Sequence, residues 1–179
     1  MTRFLLTVAV LAVIVVLALA MWWGYRNRAR RQAATLPAFP ATPEGLIERA
    51  RAGDYESPVR PSTGLYASTV TDASWQDRVA IGDIGHRAEA TAHLLPEGLL
   101  FDRVGASPLW IAAESVVDAR TEGAIAGKVM GRDGLFVVRW QIGDDRFDTG
   151  FRADDKDDYE SWVPAVRALG SHNTAGGTA

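Results

Sequence analysis

A long apolar run near the N-terminus limits what this chain can fold into more than any other stretch. Residues 4–25, FLLTVAVLAVIVVLALAMWWGY, carry no charged side chain and are followed by Arg26, Arg28, Arg30 and Arg31. At about 1.5 Å per residue, a helix of this run is about 33 Å long, which matches a hydrocarbon core of about 30 Å. Apolar residues lie all around the axis, so no polar face suits a helix lying flat in the interface. The run therefore predicts a transmembrane anchor.

The ends of the run predict how the anchor sits in the bilayer. Trp22, Trp23 and Tyr25 lie where amphipathic rings favour the headgroup region. Arg3 and the terminal amine are the only positive groups before the run, whereas four arginines follow it. This excess predicts a single-pass protein of the plasma membrane, with its N-terminus outside and its C-terminal part in the cytoplasm.

A cleavable signal peptide is the alternative interpretation of the same run. Ala18-Leu19-Ala20 has the small-x-small form of a cleavage site, and Met1 to Arg3 form a positive start. The apolar run is longer than a usual signal core, and two tryptophans and the arginines follow it directly. These features favour the anchor over an exported, cleaved form.

The charge of the remaining chain limits the partners it suits. Beyond Arg31 there are 14 basic residues and all 22 acidic ones, a formal charge of −8. A domain of this charge is ill suited to a phosphate backbone, so nucleic acid is not an expected partner. The chain has no cysteine, which excludes disulfides, thiolate nucleophiles and cysteine-built zinc sites.

Residues 32–62 are rich in proline and small residues, and they predict a mostly extended linker. Within it, Thr42-Pro43-Glu44 is typical of a helix start, so a short helix is expected over 43–52, packed on the domain or on the membrane surface. The expected organisation is an anchor with its basic flank at 1–31, this linker, a folded domain at 63–170 and a disordered tail at 171–179.

The stretch from Gly64 to Arg152 predicts seven short antiparallel strands. Period-two alternation is clearest at 87–95, where small and apolar residues alternate with polar ones and His93 falls on the polar side. Leu95-Pro96-Glu97-Gly98 and Gly143-Asp144 are turn signals between consecutive strands. The strands are expected at 65–71, 87–95, 99–104, 109–112, 115–120, 135–142 and 146–151.

An amphipathic helix is predicted after the strands, from Asp154 or Asp155 to Leu169. Tyr159, Trp162 and Val166 share one face, and acidic residues crowd the start, where the helix dipole favours them. Pro164 is expected to kink the helix or shift its capping region. Seven antiparallel strands and a terminal helix are the order of elements in a pleckstrin-homology (PH)-like barrel.

Five segments of the domain, 64–66, 75–79, 82–85, 123–129 and 148–154, form a recognisable combination together with the anchor. On these segments the sequence resembles a family of actinobacterial single-pass membrane proteins with a PH-like domain, sometimes labelled export or transport proteins. The resemblance implies a mainly β fold: an N-terminal transmembrane helix, a linker, and a seven-stranded PH-like antiparallel barrel or sandwich capped by a C-terminal α-helix. It implies no activity, because the label carries no mechanism and one span forms no pore.

Phosphoinositide binding by the domain is not expected from its charges. That chemistry needs several Lys or Arg side chains converging from the first inter-strand loop. Here Arg78 lies among Asp72, Asp77 and Asp83, and Lys128 is isolated. The lipid bilayer is instead an expected partner through the N-terminal helix.

No enzymatic activity and no cofactor or metal is predicted. His86, His93 and His172 are the only imidazoles, and neither a nucleophile elbow nor a phosphate-binding loop is present. The acidic run at 154–158 has the hard oxygen ligands of a Ca²⁺ or Mg²⁺ site, but its side chains fan out around a helix start. Acids facing water are the expected arrangement.

Two classes of function remain, and Trp75, Arg78 and Lys128 are the candidate interaction residues. The first class is a membrane-tethered interaction or scaffolding module, which holds an unknown protein partner through a barrel edge, the Trp75 loop or residues 123–129. The second is a sensor that binds a small molecule or lipid in the barrel mouth. Trp110, Trp140 and Trp162 are expected in the core or at its rim, not in a ligand cage.

Overall fold

The computed structural model describes residues 2–72, 78–79, 81–129 and 134–174. Within these residues the helices are α1 (Thr2–Thr35), α2 (Leu46–Ala52) and α3 (Asp158–Thr174). The strands are β1 (Ser62–Thr71), β2 (Ala88–Leu95), β3 (Gly98–Arg103), β4 (Leu109–Ala112), β5 (Val116–Glu122), β6 (Ala124–Ile125), β7 (Lys128–Val129), β8 (Leu135–Ile142) and β9 (Asp145–Ala153). A short 3-10 helix, Ala113–Ser115, joins β4 to β5.

Seven of these strands form one antiparallel sheet in the order β4-β3-β2-β1-β9-β8-β5. β1 pairs with both β2 and β9, and a register irregularity between Tyr66 and Ser68 bends it from one half of the sheet into the other. β4 and β5 end the order, and within the described residues β4 pairs with β3 and β5 pairs with β8. The predicted fold, mainly β with seven antiparallel strands and a C-terminal helix, is confirmed.

The main core lies between the inner face of the bent sheet and α3. Alternation along β2 turns Ala90, Ala92 and Leu94 inward, as the sequence predicts. Trp162 and Val166 of α3 close the core from the other side. The largest fully buried side chains of this core are Trp140, Tyr66, Phe101, Phe136, Phe147 and Phe151. The prediction that Trp110, Trp140 and Trp162 are packing residues is confirmed, since all three are buried.

The outer face of β2 and β3 lies under α2. Leu46 and Ala50 of α2 form a second apolar cluster with Leu95, Leu100 and Trp110. His93 is only 5% exposed, and its Nδ1 lies 2.9 Å from the hydroxyl of Tyr55. His93 thus lies on the predicted side of its strand, but this side is buried at His93 and does not face water. Alternation separates it correctly from Ala92 and Leu94, but α2 and the residues after it cover that face as well.

Residues 36–62 pack on the domain over much of their length, although their composition predicts a mostly extended linker. Leu36 and Phe39 contact the main core, and the Phe39 ring lies 5.1 Å from Phe147 and 5.7 Å from Trp140 between centroids. The expected short helix is present as α2, and it packs on the sheet. Gly45 and Gly53 flank it, each with a φ of 72°.

The two shortest strands, β6 and β7, form a hairpin that the strand pattern did not predict. Its turn residues Ala126 and Gly127 have φ angles of 54° and 74°, the left-handed conformation of a type I′ turn. Ile125 packs on the outer face of the sheet against Val70 and Val137. The hairpin therefore covers an apolar patch of β1 and β8.

α3 begins and ends later than its sequence pattern predicts. It starts at Asp158 and continues to Thr174, beyond both Leu169 and the expected start of the tail, with Pro164 inside it. Asp158 does not face water as expected: it is buried and accepts hydrogen bonds from the Ser62 hydroxyl at 2.6 Å and from Arg60 at 2.9 Å. This carboxylate ties the start of α3 to β1.

α1 is one continuous helix that contains the apolar run and continues past the arginines to Thr35. Its stretch Leu6–Gly24 has 19 residues, a mean hydropathy of 2.6 and no buried part. A helix of this length and composition is compatible with one membrane span, and a signal sequence has the same properties.

Candidate functional site

The structure brings two of the predicted interaction segments together. Arg78 forms an isolated β-bridge with Val70, and its guanidinium donates to the carbonyl of Ala126 at 3.4 Å. Lys128 belongs to the same hairpin, where it pairs with Ile125. Trp75 lies outside the described residues. The hairpin and the bridge at Arg78 thus form one continuous surface on the outer side of β1.

The aromatic and basic residues of the predicted anchor flank lie on α1. Trp22 and Trp23 are exposed, and the guanidinium carbon of Arg26 lies 4.8 Å from the centroid of the Trp22 ring. Tyr25, Arg28, Arg30 and Arg31 follow on the same continuous helix.

The end of the sheet at the β8–β9 turn is filled by the chain itself. Phe39 packs on Trp140 and Phe147, and Leu36 and Ile142 pack on the same core. Trp140 and Phe147 are fully buried, so Phe39 occupies the space over them that a ligand in a barrel mouth would need. This arrangement disfavours a sensor that binds a small molecule or lipid in the barrel mouth.

Arg103 is a buried cation that the sequence pattern did not single out. Its guanidinium bonds Asp83 at 2.6 Å and the Ser107 carbonyl at 2.6 Å, and it lies 4.6 Å over the ring of Tyr66. Burial alone would raise the pKa of Asp83, but hydrogen bonds from Ser107 and the charge of Arg103 outweigh it and lower that pKa. Burial also raises the pKa of Tyr66. Arg103 therefore fixes the loop after Ile81 and is not exposed to bind a phosphate.

A second ionic cluster crosses the outer face of β5, β8 and β9. Asp148 is 8% exposed and accepts hydrogen bonds from Arg120 at 2.8 Å and from Arg139 at 2.9 Å. Burial pushes the pKa of Asp148 upward, but the hydrogen bonds and charges of the two arginines outweigh this and hold it below its usual value. Arg120 also bonds Glu122, and Arg139 bonds Asp72. Each guanidinium and each carboxylate of this cluster therefore has an oppositely charged partner within it.

An open groove of about 720 Å³ lies between β5 and α3. Arg120 and Thr121 of β5 form one wall. The other wall comes from α3 and the turn before it, through Lys156, Tyr159, Glu160, Val163, Pro164 and Arg167. Arg167 also donates a hydrogen bond of 2.9 Å to Asp118 of β5, which links the two elements. This volume is in the range of pockets that bind ligands.

Residues 36–167 match the family described as Bacterial PH domain-like. The chain belongs to this family. The matched range begins at Leu36, so it includes the segment that packs on the PH-like domain through Phe39 and α2. PH-like domains are typically interaction modules and not enzymes, and they interact with proteins or lipids.

Comparison with individual proteins adds little to this assignment. No curated protein matches the chain. Nine chains of solved structures match it, among them Vav1 inhibited by an allosteric inhibitor, with 16% identity and a TM-score of 0.35. That match covers 63% of this chain and 27% of the Vav1 chain, so this protein spans about a quarter of its length.

The groove between β5 and α3 is another feature of the PH-like domain that the sequence pattern did not predict. Its helical wall has a signal in the sequence, because Glu160, Val163, Pro164 and Arg167 recur at the spacing of one helix face. That pattern does not reveal that the face stands apart from β5, since the gap depends on how two distant elements pack.

Proposed function

We propose that this protein is a membrane-tethered PH-like interaction module without catalytic activity. The observation that carries the proposal is the contrast between a barrel end closed by Phe39 and an open groove on the surface between β5 and α3. A domain whose interior is packed with its own side chains has its binding capacity on its surface, where a protein partner reaches it.

The bilayer is the first partner of the proposed module, through α1. The exposed 19-residue stretch Leu6–Gly24 is long enough to cross a hydrocarbon core. The arginines that follow it favour a cytoplasmic position for the PH-like domain and an external N-terminus in the plasma membrane. Membrane residence then comes from the span, and the domain is free to hold another protein.

Phosphoinositide recognition is not part of the proposal, because three arginines near the first inter-strand loop have other partners. Arg103 is buried against Asp83, and Arg78 donates to the hairpin. Arg139 of β8 pairs with Asp72, which follows the end of β1, and with Asp148. A clustered phosphate headgroup would have to compete with these carboxylates.

A sensor that binds a ligand in the barrel mouth remains the alternative, and it requires Phe39 to leave its site. Phe39 makes ring contacts with two fully buried aromatic residues, Trp140 and Phe147. Displacing it exposes apolar surface unless the ligand replaces every contact. The filled end therefore favours the interaction module.

Photocrosslinking in native membranes tests the proposed module. A photoreactive amino acid replaces Glu160, which is exposed in the groove, and in a separate variant Val104, which is 69% exposed on the other half of the sheet. We expect reproducible protein adducts from position 160 and none of the same mass from position 104. The proposal would be contradicted if no reproducible protein adduct formed at these positions or on the surface of Arg78 and the β6–β7 hairpin.

A further inference from the structure

We propose that the docking of Phe39 is coupled to the conformation of the loop at 81–86, which leads into β2. Four buried hydrogen bonds in series join the two places across the core of the domain. Because Phe39 follows α1 closely, the segment after this helix regulates a loop of the PH-like domain. The coupling goes beyond the proposed interaction function, since it belongs to the folded chain and requires no partner.

The four hydrogen bonds, called the core network below, run in one direction only. The indole Nε1 of Trp140 donates to the hydroxyl of Thr149 at 2.9 Å, and the hydroxyls of Thr149 and Thr69 lie 2.7 Å apart. The hydroxyl of Thr69 lies 2.5 Å from that of Tyr66, which donates to the carbonyl of Ile84 at 2.7 Å. Since Tyr66 gives its one proton to that carbonyl, Thr69 donates to Tyr66 and Thr149 donates to Thr69. Each hydroxyl therefore depends on both of its neighbours.

Burial makes the members of the core network move together. Trp140, Thr149, Thr69 and Tyr66 all have an exposed fraction of 0%. A buried donor or acceptor that loses its partner costs about 1–3 kcal/mol, and hydrogen bonds in series polarise one another. Displacing one end of the network is therefore unfavourable unless the other members follow.

Phe39 holds the first member of the core network in place. Its ring lies 5.7 Å from Trp140 and 5.1 Å from Phe147 between centroids, and the latter two rings lie 5.0 Å apart. Without the Phe39 ring a space opens beside the indole, and side chains around such a space relax into it in part. A movement of the indole displaces its Nε1 from the hydroxyl of Thr149.

The other end of the core network fixes the loop at 81–86. Tyr66 donates to the Ile84 carbonyl, and the hydroxyl of Ser68 donates to the Gly85 carbonyl at 3.1 Å. Both donors are side chains of β1, so the backbone of the loop depends on the position of that strand's side chains. A displaced Tyr66 leaves the Ile84 carbonyl without this donor.

Thr69 extends the coupling to the surface of Arg78 and the β6–β7 hairpin. The Thr69 carbonyl accepts from the N–H of Val79 at 3.0 Å. The preceding residue, Arg78, donates to the carbonyl of Ala126 in the hairpin. A displacement of Thr69 therefore acts on this candidate interaction surface as well as on the loop.

α1 acts on the other end of the coupling. It is helical to Thr35, and Leu36 and Phe39 contact the main core within the next four residues. A tilt or shift of α1 relative to the domain pulls on these two side chains first, because little chain separates them from the helix. The docked state of Phe39 thereby reports the position of α1 to the loop.

Hydrogen exchange of the full chain in phosphatidylcholine nanodiscs tests the coupling. In Phe39→Ala we expect the backbone N–H groups of residues 82–86 to exchange at least about fivefold faster relative to those of β3, the lower end of measured coupling between two sites. Leu46→Ala is the matched control, since it removes a buried side chain of α2 that packs outside the core network. The inference is overturned if the rate at 82–86 changes no more than that of β3, or if Leu46→Ala has the same effect there.

A second substitution tests whether the core network carries the effect. Thr149→Val keeps the shape of the side chain and removes the hydroxyl in the middle of the network. In this background Phe39→Ala should change the relative rate at 82–86 by less than about twofold. A full effect of Phe39→Ala there would overturn the inference. Near-UV circular dichroism checks folding, and Tyr66→Phe, which removes the bond to the Ile84 carbonyl, serves if Thr149→Val does not fold.

Ser68→Ala separates the core network from other bonds to the same loop. It removes the bond to the Gly85 carbonyl and leaves the network intact. The relative rate at 82–86 should rise, and Phe39→Ala should add its full effect to that rise. Loss of the Phe39 effect in this background as well would contradict a route through the core network.

Discussion

At the scale of single residues, small side chains decide how the outer face of the sheet is covered. Gly150 of β9 lies under Ile125 of the hairpin, and a Cβ built on it would lie 2.8 Å from the Ile125 Cδ1. Ala126 at the tip of the same hairpin has a φ of 54°, which side chains larger than glycine rarely adopt. The hairpin therefore makes one tight contact with the sheet, at Gly150, and its turn is strained at Ala126.

Replacing Gly150 tests the tight contact. Gly150→Ala should lower the free energy of unfolding by about 1–3 kcal/mol, the usual cost of overpacking a well-packed site. Urea unfolding of the full chain in detergent, followed by near-UV circular dichroism, measures the loss. In the double variant with Ile125→Ala the added methyl group has room, so the combined loss should be smaller than the sum of the two single losses. Additive losses would show that the two residues are not in contact.

Relieving the strained turn should have the opposite effect. Ala126→Asn should stabilise the protein by about 0.5–1 kcal/mol, because Asn adopts the left-handed conformation at the first position of a type I′ turn more readily than Ala. The same urea titration measures it, with Ala126→Val as the comparison that should destabilise. A stabilising Val substitution would contradict the turn geometry.

At the scale of elements, α2 and the residues after it turn β2 into a strand that is covered on both faces. Burial lowers the pKa of His93 below its usual 6.5; the charge of Asp102 acts against this, and that of Arg51 adds to it. His93 is therefore harder to protonate when α2 is docked, and its Nδ1 faces the Tyr55 hydroxyl. A proton on His93 is disfavoured in the folded state only.

This arrangement predicts that acid weakens the docking of α2. Below pH 6.5 the unfolded chain binds a proton at His93 that the folded chain does not, so stability falls with pH until the lowered folded pKa is reached. Above pH 6.5 this residue contributes no pH dependence. Thermal unfolding between pH 8 and 5 measures the effect, and His93→Gln should remove most of the slope between pH 6.5 and 5. An unchanged slope in that variant would assign it to another group.

The same elements show what the sequence predicts and what it does not. The strands follow from period-two alternation and from local turn signals such as Gly143-Asp144, because strands and turns depend on neighbours in sequence. The positions of Phe39 and α2 depend on contacts with residues far along the chain, such as Trp140 and Trp110. The same holds for the groove, since a helix face and a strand edge become a site only once they are placed side by side.

At the scale of the whole molecule, the docked segment sets how far the PH-like domain extends from the bilayer. α1 is helical to Thr35, and Leu36 and Phe39 already contact the core. In the proposed topology the helix rises about 15 Å over the ten steps from Tyr25 to Thr35, so no long flexible linker separates the domain from the membrane. A partner of the groove must then reach a domain that begins about 15 Å from the membrane, as a membrane protein or a peripheral one does.

The proposed topology predicts which surfaces a reagent outside the cell reaches. Because the chain has no cysteine, a single introduced one reports its own position. A membrane-impermeant maleimide should label Thr2→Cys in intact cells, whereas Val104→Cys, at a site 69% exposed in the folded domain, should react only after lysis. The arginines that follow the span cause this asymmetry, so replacing Arg26, Arg28, Arg30 and Arg31 with Gln should make Val104→Cys accessible in part of the population. Labelling of Val104→Cys in intact wild-type cells would place the groove outside the cytoplasm, and an intact mass that lacks the first twenty residues would identify α1 as a cleaved signal sequence.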